Sequence, residues 1–252
     1  MLRADDLVFG YGEGPVLRGL SVALEPGEVL AVIGPSGVGK TTLLRLLSLA
    51  EPPAAGSIAV DGTDPWAVDG DRRLALRRRI GVVFQESTLF STTVARNVGY
   101  GLRVRRPWAT RLREALAMTT NGTHGAVQEA LEVVGLTDAA DRPADELSGG
   151  EAKRVSFARA MAYDPSYLLL DEPTADLDPR NTAVIEGAVE AASERGIGVL
   201  VATHDMHQAR RVADRVGVLL EGALTEVAPT DRIFESPRDE RTERFINGEL
   251  VY

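Results

Sequence analysis

Short apolar runs alternate with segments of helical periodicity along most of the chain. The apolar runs predict β-strands at Leu7–Phe9, Val29–Ile33, Ser57–Val60, Ile80–Phe84, Tyr167–Leu170, Val199–Ala202, Val216–Leu220 and Ala223–Val227. Several of these runs lack polar alternation, which is typical of strands that are covered on both faces. The order of strands and helices therefore predicts an α/β fold with a mainly parallel central sheet.

The pattern changes between about Glu86 and Asp164, where helical spacing replaces the strand signals. One predicted helix carries apolar residues at positions 127, 130, 131 and 134, which lie on one helix face. We therefore predict a helical subdomain at about 86–164, inserted into a core at about 1–85 and 165–252. Within it, the polar segment Met118–Gly125 contains two glycines and predicts a loop.

Composition excludes several classes of site. The 252 residues suit one domain, and no run approaches the ~20 apolar residues that a membrane span needs. The N-terminus lacks an apolar secretory segment, so we expect a cytoplasmic protein. Cysteine is absent, which excludes disulfides and thiolate metal sites. The net charge of −9 argues against broad nucleic-acid binding. Of the two lysines in the chain, one, Lys40, lies in a glycine-rich loop.

That loop reads Gly34-Pro35-Ser36-Gly37-Val38-Gly39-Lys40-Thr41 and lies between a predicted strand, Val29–Ile33, and a predicted helix, Thr41–Leu49. A strand, this glycine spacing and a helix together predict a phosphate-binding loop. Its glycines let backbone N–H groups turn toward phosphates, and the helix N-terminus favours anions. We expect Lys40 to neutralise the terminal phosphates and the Thr41 hydroxyl to bind Mg²⁺.

Two acidic residues, Asp171 and Glu172, follow the apolar strand Tyr167–Leu170. The carboxyl end of a parallel strand lies at the ligand-binding edge of the sheet. We expect Asp171 to hold Mg²⁺ through its water shell and Glu172 to polarise the attacking water as general base.

About a hundred residues after the phosphate loop, the chain reads Leu147-Ser148-Gly149-Gly150-Glu151. With the loop and the acidic strand end, this segment resembles the signature motif of the ATP-binding subunits of ABC transporters, and the resemblance covers essentially the whole chain. It implies a P-loop NTPase (RecA-like) core with a mainly parallel sheet, an N-terminal antiparallel β portion and an inserted α-helical subdomain. The whole of 1–252 would be a single ABC ATPase domain.

The resemblance also implies a role for each matching residue. Nucleotide contacts are implied for Tyr11, Gly34, Pro35, Ser36, Gly37, Val38, Gly39, Lys40, Thr41, Thr42, Ser148, Gly149, Gly150 and Asp176. Catalysis is implied for Glu172, His204, Lys40 and Gln85, and Mg²⁺ binding for Thr41, Gln85 and Asp171. Tyr11 would stack on adenine, His204 would bond the γ-phosphate, and Asp176 belongs to a segment, Ala175–Asp178, that would cross a dimer interface.

The signature segment would act on a second subunit. Ser148, Gly149 and Gly150 open a predicted helix, Glu151–Tyr163, and would contact the γ-phosphate held by the partner's phosphate loop. The final signature position is Glu151, where the family usually has glutamine. A carboxylate near a polyphosphate is unfavourable unless it points away or pairs with Lys153 or Arg154. We expect Glu151 to cap the helix start, because acidic residues favour the first turn.

The resemblance implies an ATPase that works as a homodimer with ATP and Mg²⁺ at the cytoplasmic face of the membrane. Its partners would be multispanning permease subunits and, indirectly, an external solute-binding protein; no nucleic acid is expected. The segment Ser91–Gly101 and the tail Phe234–Tyr252 resemble importers of small solutes, and Ser236–Gly248 is similar to importers of phosphate and tungstate. The final residues, Gly248–Tyr252, slightly favour tungstate. A polar amino-acid importer is the alternative, as is a non-transport ABC ATPase acting on DNA or ribosomes. An unrelated P-loop kinase would not need the signature segment.

Overall fold

The structure is a computed structural model, and it describes residues 1–12, 14–86, 88–105 and 121–249. The chain divides into two compact units. The first unit consists of Met1–Val82, Ser166–Glu172 and Ala192–Tyr252, and the second of Val83–Pro165 and Pro173–Ala191.

The described strands are β1 Leu2–Phe9, β2 Leu17–Leu24, β3 Val29–Ile33, β4 Ala55–Val60, β5 Ile80–Val83, β6 Tyr167–Asp171, β7 Gly198–Thr203, β8 Arg215–Leu220 and β9 Ala223–Pro229. The described helices are α1 Lys40–Leu47, α2 Gly70–Arg77, α3 Val94–Val98, α4 Tyr100–Arg105, α5 Asn121–Val133, α6 Gly149–Met161, α7 Pro179–Glu194, α8 Met206–Val212, α9 Thr230–Glu235 and α10 Glu240–Ile246. None of these helices has the length and apolar character needed to cross a bilayer.

Six strands form a mainly parallel sheet in the order β5-β6-β7-β3-β8-β9. Strand β3 pairs in parallel with β7 and β8, β6 pairs in parallel with β7, and β9 closes one edge antiparallel to β8. Every residue of β3, β6 and β7 is buried, as their uninterrupted apolar runs predict. The α/β fold is confirmed, and the carboxyl ends of β3, β6 and β7 lie side by side.

A second sheet has the order β2-β1-β4, and both of its pairings are antiparallel. This is the expected N-terminal antiparallel portion, but the apolar pattern did not predict β2. Leu17, Leu20, Val22 and Leu24 of β2 are buried. Gly19 adopts φ +73° and β1 carries register shifts opposite this strand, so the inward positions do not follow a simple alternation.

Helices dominate the second unit, where α3, α5 and α6 pack together. Their buried residues include Val98 of α3, Leu131 of α5 and Phe157 of α6. The prediction of a loop at Met118–Gly125 is wrong from Asn121 onward, because α5 begins there. Met118–Thr120 lie outside the described residues.

Candidate active site

The phosphate loop connects β3 to α1 and occupies the ligand edge of the parallel sheet. Gly37 has φ +79° and Gly39 has φ +114°, conformations that favour glycine. At Gly34, a Cβ atom would lie 2.3 Å from the carbonyl oxygen of Leu219, so no larger residue fits there without a shift. The loop conformation therefore depends on these glycines, as the motif predicts. Of its other members, Ser36 is exposed, Val38 packs on the core, and Thr42 is buried in α1.

Lys40 opens α1 and folds back over the loop. Its Nζ donates hydrogen bonds to the carbonyl oxygens of Gly34 at 2.7 Å and Pro35 at 3.0 Å. It also lies 3.8 Å from Oε1 of Glu172. Burial lowers the pKa of Lys40, and the carboxylates of Glu172 and Asp171 oppose that shift. The loop thus holds a positive charge at the point where the motif places phosphate.

Thr41 and Asp171 are in direct contact. The Thr41 hydroxyl donates to Oδ2 of Asp171 at 2.7 Å, which joins the start of α1 to the end of β6. Burial raises the pKa of Asp171; the bond from Thr41 opposes this shift, whereas Glu172 adds to it.

This oxygen pair has the donor chemistry that Mg²⁺ prefers. No group of three or more His, Asp or Glu side chains in the described ranges is placed to hold a metal ion. Magnesium usually takes one or two protein oxygens and completes its shell with water and substrate phosphates. The residues present therefore fit a magnesium ion that arrives with a nucleotide.

Glu172 follows β6 with a strained backbone, at φ +47°. Its N–H donates to the carbonyl oxygen of Ala202 at 2.8 Å, and its Oε2 accepts a bond from the Thr203 hydroxyl at 3.2 Å. Its Oε1 lies 2.8 Å from Nδ1 of His204. Glu172 is therefore held at the sheet edge by residues from the end of β7.

His204 presents most of its ring to solvent, with 60% of the side chain exposed. Because an ionised carboxylate can only accept, the contact with Glu172 requires the hydrogen on Nδ1. The opposite ring nitrogen, Nε2, then remains available to a ligand. The Thr203 hydroxyl accepts from the N–H of Asp205 at 3.0 Å, and the Asp205 side chain caps α8, which fixes the turn that carries His204.

Tyr11 lies on the surface of the first unit, 57% exposed. The Phe9 ring packs against it in an edge-on arrangement, with centroids 5.1 Å apart. Its hydroxyl makes long contacts of 3.5 Å with Glu51 and 3.4 Å with Arg45. An exposed ring that is supported by a second ring is a suitable platform for a base.

The signature segment lies in the second unit, where Ser148 is the N-cap of α6. The helix begins at Gly149, two residues before the predicted start, so Gly149 and Gly150 form its first turn. Gly150 packs so closely on Asn181 that a Cβ atom would lie 2.6 Å from the amide nitrogen of that residue. The segment presents the N–H groups of a helix start, as expected.

Glu151 caps this helix, as predicted. It completes a capping box in which the Ser148 hydroxyl accepts from the N–H of Glu151 and the Glu151 carboxylate accepts from the N–H of Ser148. Glu151 also forms an ion pair with Arg142, whose Nη1 lies 2.9 Å from Oε1 of Glu151.

Two further predicted residues also lie in the second unit. Asp176 adopts φ +62°, and the neighbouring Ala175 carbonyl accepts a bond from Nζ of Lys153 at 2.6 Å. Gln85 is exposed on the bend after β5, which ends at Val83 rather than at Phe84. The functions of Asp176 and Gln85 stay predictions.

Sequence reasoning missed three supporting residues. Thr203 adjoins the predicted His204, so its position at the strand end was available as a signal. Arg142 and Asn181 are separated from the signature segment by other residues, and no local pattern marks them as its neighbours.

Comparison with known proteins agrees with this geometry. The family model for ABC transporters matches residues 17–175. A phosphate import ATP-binding protein of Natronomonas pharaonis is 60% identical over 96% of this chain and 85% of its own length. A probable anion import ATP-binding protein of Haloferax volcanii is 55% identical over 100% of this chain and 88% of its own.

The structure is also similar to a solved one. The dimeric, post-hydrolysis structure of an ATP-binding cassette bound to ADP and phosphate superposes with a TM-score of 0.78 at 28% identity. The match covers 91% of this chain and 99% of that one.

Proposed function

The chain belongs to the ABC transporter family and is an ATP-hydrolysing import subunit, and from that premise we propose that it energises the uptake of a tetrahedral oxyanion, with phosphate the leading candidate. The observation that carries the ATP-hydrolysing part of the proposal is the meeting of Lys40, Asp171, Glu172 and His204 at one sheet edge. The named cargoes of the relatives from Natronomonas pharaonis and Haloferax volcanii support an inorganic anion.

In the proposed reaction, water attacks the γ-phosphate of ATP in line with the leaving ADP. Lys40 exchanges its bonds to the loop carbonyls for the β- and γ-phosphates, so its buried charge is positioned in advance. Glu172 accepts the proton of the attacking water, and His204 holds that carboxylate through Nδ1 while its Nε2 faces the γ-phosphate.

Thr41 and Asp171 are the residues that would hold Mg²⁺, with Gln85 as a third candidate. The ion would neutralise charge on the β- and γ-phosphates. Tyr11 stacks on the base, and the loop residues bind the phosphates through their N–H groups. Apart from Gln85, the residues given these roles all belong to the first unit.

We place the other half of each site on a second, identical subunit. Ser148, Gly149 and Gly150 would meet the γ-phosphate bound by the partner, and Asp176 would lie at the same interface. The dimeric state of the related cassette bound to ADP and phosphate supports the presence of a second subunit. ATP would then join two subunits that hydrolysis separates, and an isolated subunit would be a poor ATPase.

Membrane permease subunits are the partners that such a cycle drives, and we propose that the chain sits peripherally on the cytoplasmic face of the membrane with them. An external binding protein would choose the solute. We treat 1–252 as a single ABC ATPase domain with the subdomain boundaries predicted from the sequence.

The test is transport in proteoliposomes that contain the chain and its permease subunits, with the solute-binding protein added outside and ATP enclosed. We expect ATP-dependent uptake of ³²P-phosphate. Excess unlabelled phosphate or tungstate should inhibit this uptake, each in proportion to its own affinity for the transporter. The Glu172→Gln variant should abolish uptake. Uptake of polar amino acids without uptake of either oxyanion would contradict the proposed cargo, and binding to ribosomes or DNA in place of permeases would contradict the transport role.

A further inference from the structure

The carboxylate of Glu151 is fully engaged at the start of α6. Its Oε2 accepts bonds from the N–H of Ser148 at 2.9 Å and from the Ser148 hydroxyl at 2.8 Å. Its Oε1 accepts from Nη1 of Arg142 at 2.9 Å. The same guanidinium also donates, through Nη2, to the carbonyl oxygen of Glu146 at 3.3 Å.

These bonds occupy the hydroxyl hydrogen of Ser148. A serine hydroxyl has one hydrogen, so it cannot donate to an anion while it donates to Glu151. Its oxygen meanwhile accepts from the N–H of Glu151 at 3.3 Å. A ligand phosphate that needs this donor must therefore compete with a carboxylate for it.

Glu151 also brings a negative charge to a helix start that is suited to anions. Arg142 offsets that charge at contact distance, and the Arg142 side chain is 42% exposed whereas that of Glu151 is 22% exposed. If Arg142 were removed, the carboxylate beside Ser148 would repel any phosphate that approached the same N–H groups.

We propose that Arg142 and Glu151 are positioning residues that set the strength of ATP-driven dimerisation. Glu151 withholds the Ser148 hydroxyl from the γ-phosphate carried by the partner subunit, and Arg142 neutralises the carboxylate so that the phosphate can approach. This inference rests on the proposed function, because it takes from it the contact between Ser148 and the partner's nucleotide.

The two residues have opposite expected effects. In Glu151→Gln, an amide oxygen still accepts from the N–H of Ser148, but the charge is lost and the hydroxyl is released more easily, so the dimer should tighten about tenfold. In Arg142→Gln, the carboxylate loses its counter-charge and the dimer should loosen about tenfold. In the double variant, Arg142→Gln should have little further effect.

The experiment measures the dimer dissociation constant by sedimentation equilibrium with Mg-ATP, with every protein also carrying Glu172→Gln to prevent hydrolysis. Glu146→Gln is the matched control, since it removes an exposed carboxylate near the same segment without touching Ser148. ATP binding to dilute monomers is measured in parallel. It should be equal in all variants because Ser148 acts on the partner's nucleotide.

Three results overturn the inference. In the first, the Glu151→Gln dimer is weaker than that of the parent. In the second, Arg142→Gln weakens the dimer as much in the Glu151→Gln background as it does alone. In the third, Glu146→Gln tightens the dimer as much as Glu151→Gln does. In each case, the proposed function stands if the parent protein, which carries only Glu172→Gln, dimerises with ATP. A parent that binds ATP and stays monomeric overturns the proposed dimer and this inference together.

Discussion

Nδ1 of His204 lies 2.8 Å from Oε1 of Glu172, which joins the ends of the neighbouring strands β7 and β6. The Thr203 hydroxyl holds the other carboxylate oxygen at 3.2 Å. The proposed general base is therefore oriented from one side by two consecutive residues. Glu172, Thr203 and His204 all belong to the first unit, so these two contacts can be tested by substitutions there.

Removal of the His204 ring should slow hydrolysis and leave nucleotide binding intact. We expect His204→Ala to lower kcat by about 10²-fold or more, because Glu172 loses its orienting partner and the γ-phosphate loses a donor. The KM for ATP should change little. His207→Ala is the control, since His207 is an exposed histidine on the adjacent helix. Equal losses in the two variants would contradict the role of His204.

The contact between Thr41 and Asp171 predicts that removal of the Thr41 hydroxyl weakens the binding of ATP with Mg²⁺. Thr41→Val keeps the side-chain shape but removes the hydroxyl, and we expect the affinity for Mg-ATP to fall about tenfold or more. Binding of ATP in EDTA should change far less. Thr41→Ser retains the hydroxyl oxygen, so its affinity for Mg-ATP should be close to that of the parent. The proposed metal ligand is wrong if Thr41→Val binds Mg-ATP as the parent does.

The exposed ring of Tyr11 predicts that its removal changes the KM for ATP rather than kcat. Tyr11→Ala removes the exposed ring, so the KM for ATP should rise about tenfold through lost stacking. Tyr11→Phe should behave as the parent, because the contacts of the hydroxyl with described residues are the long ones with Glu51 and Arg45. A large defect in Tyr11→Phe would show that the hydroxyl, and not the ring face, binds the nucleotide.

Glu151 predicts a pH dependence of stability. Bonds from the Ser148 N–H, the Ser148 hydroxyl and Arg142 lower the pKa of Glu151 from 4.5 to about 2. Because the folded-state pKa is the lower one, this carboxylate stabilises the fold above the ordinary value and loses that effect as the pH falls toward the folded value.

Urea titrations of the parent and Glu151→Gln should therefore give free energies of unfolding that differ most near neutral pH. The difference should shrink between about pH 4.5 and pH 2, over the range where the native baseline persists. Glu146→Gln, which lacks these contacts, should show no such trend. A difference that stays constant with falling pH would show that Glu151 stabilises the fold by its shape alone.

The catalytic edge could be predicted from the sequence because its residues belong to short, continuous segments. The phosphate loop follows a buried strand, and Asp171 and Glu172 follow another, so the parallel sheet alone brings them together. His204 follows β7, the strand between these two in the sheet order. Each of these residues could be placed from the end of a strand alone, and apolar runs in the sequence indicate where strands end.

Features that depend on distant residues could not be predicted in the same way. Strand β2 has buried side chains, yet the positive φ of Gly19 interrupts the alternation that would mark it. The ion pair between Arg142 and Glu151 joins residues nine positions apart, and no local pattern marks it. Arg142 reaches Glu151 only because the chain folds back before α6.

The most direct test of the account is the mass of the Glu172→Gln protein in solution with Mg-ATP and with Mg-ADP. We predict a complex of twice the 27.0 kDa subunit mass that retains two ATP molecules, and a monomer with ADP. A Glu172→Gln protein that binds ATP and remains a single subunit, while the parent protein hydrolyses ATP at full rate, would contradict the shared nucleotide site.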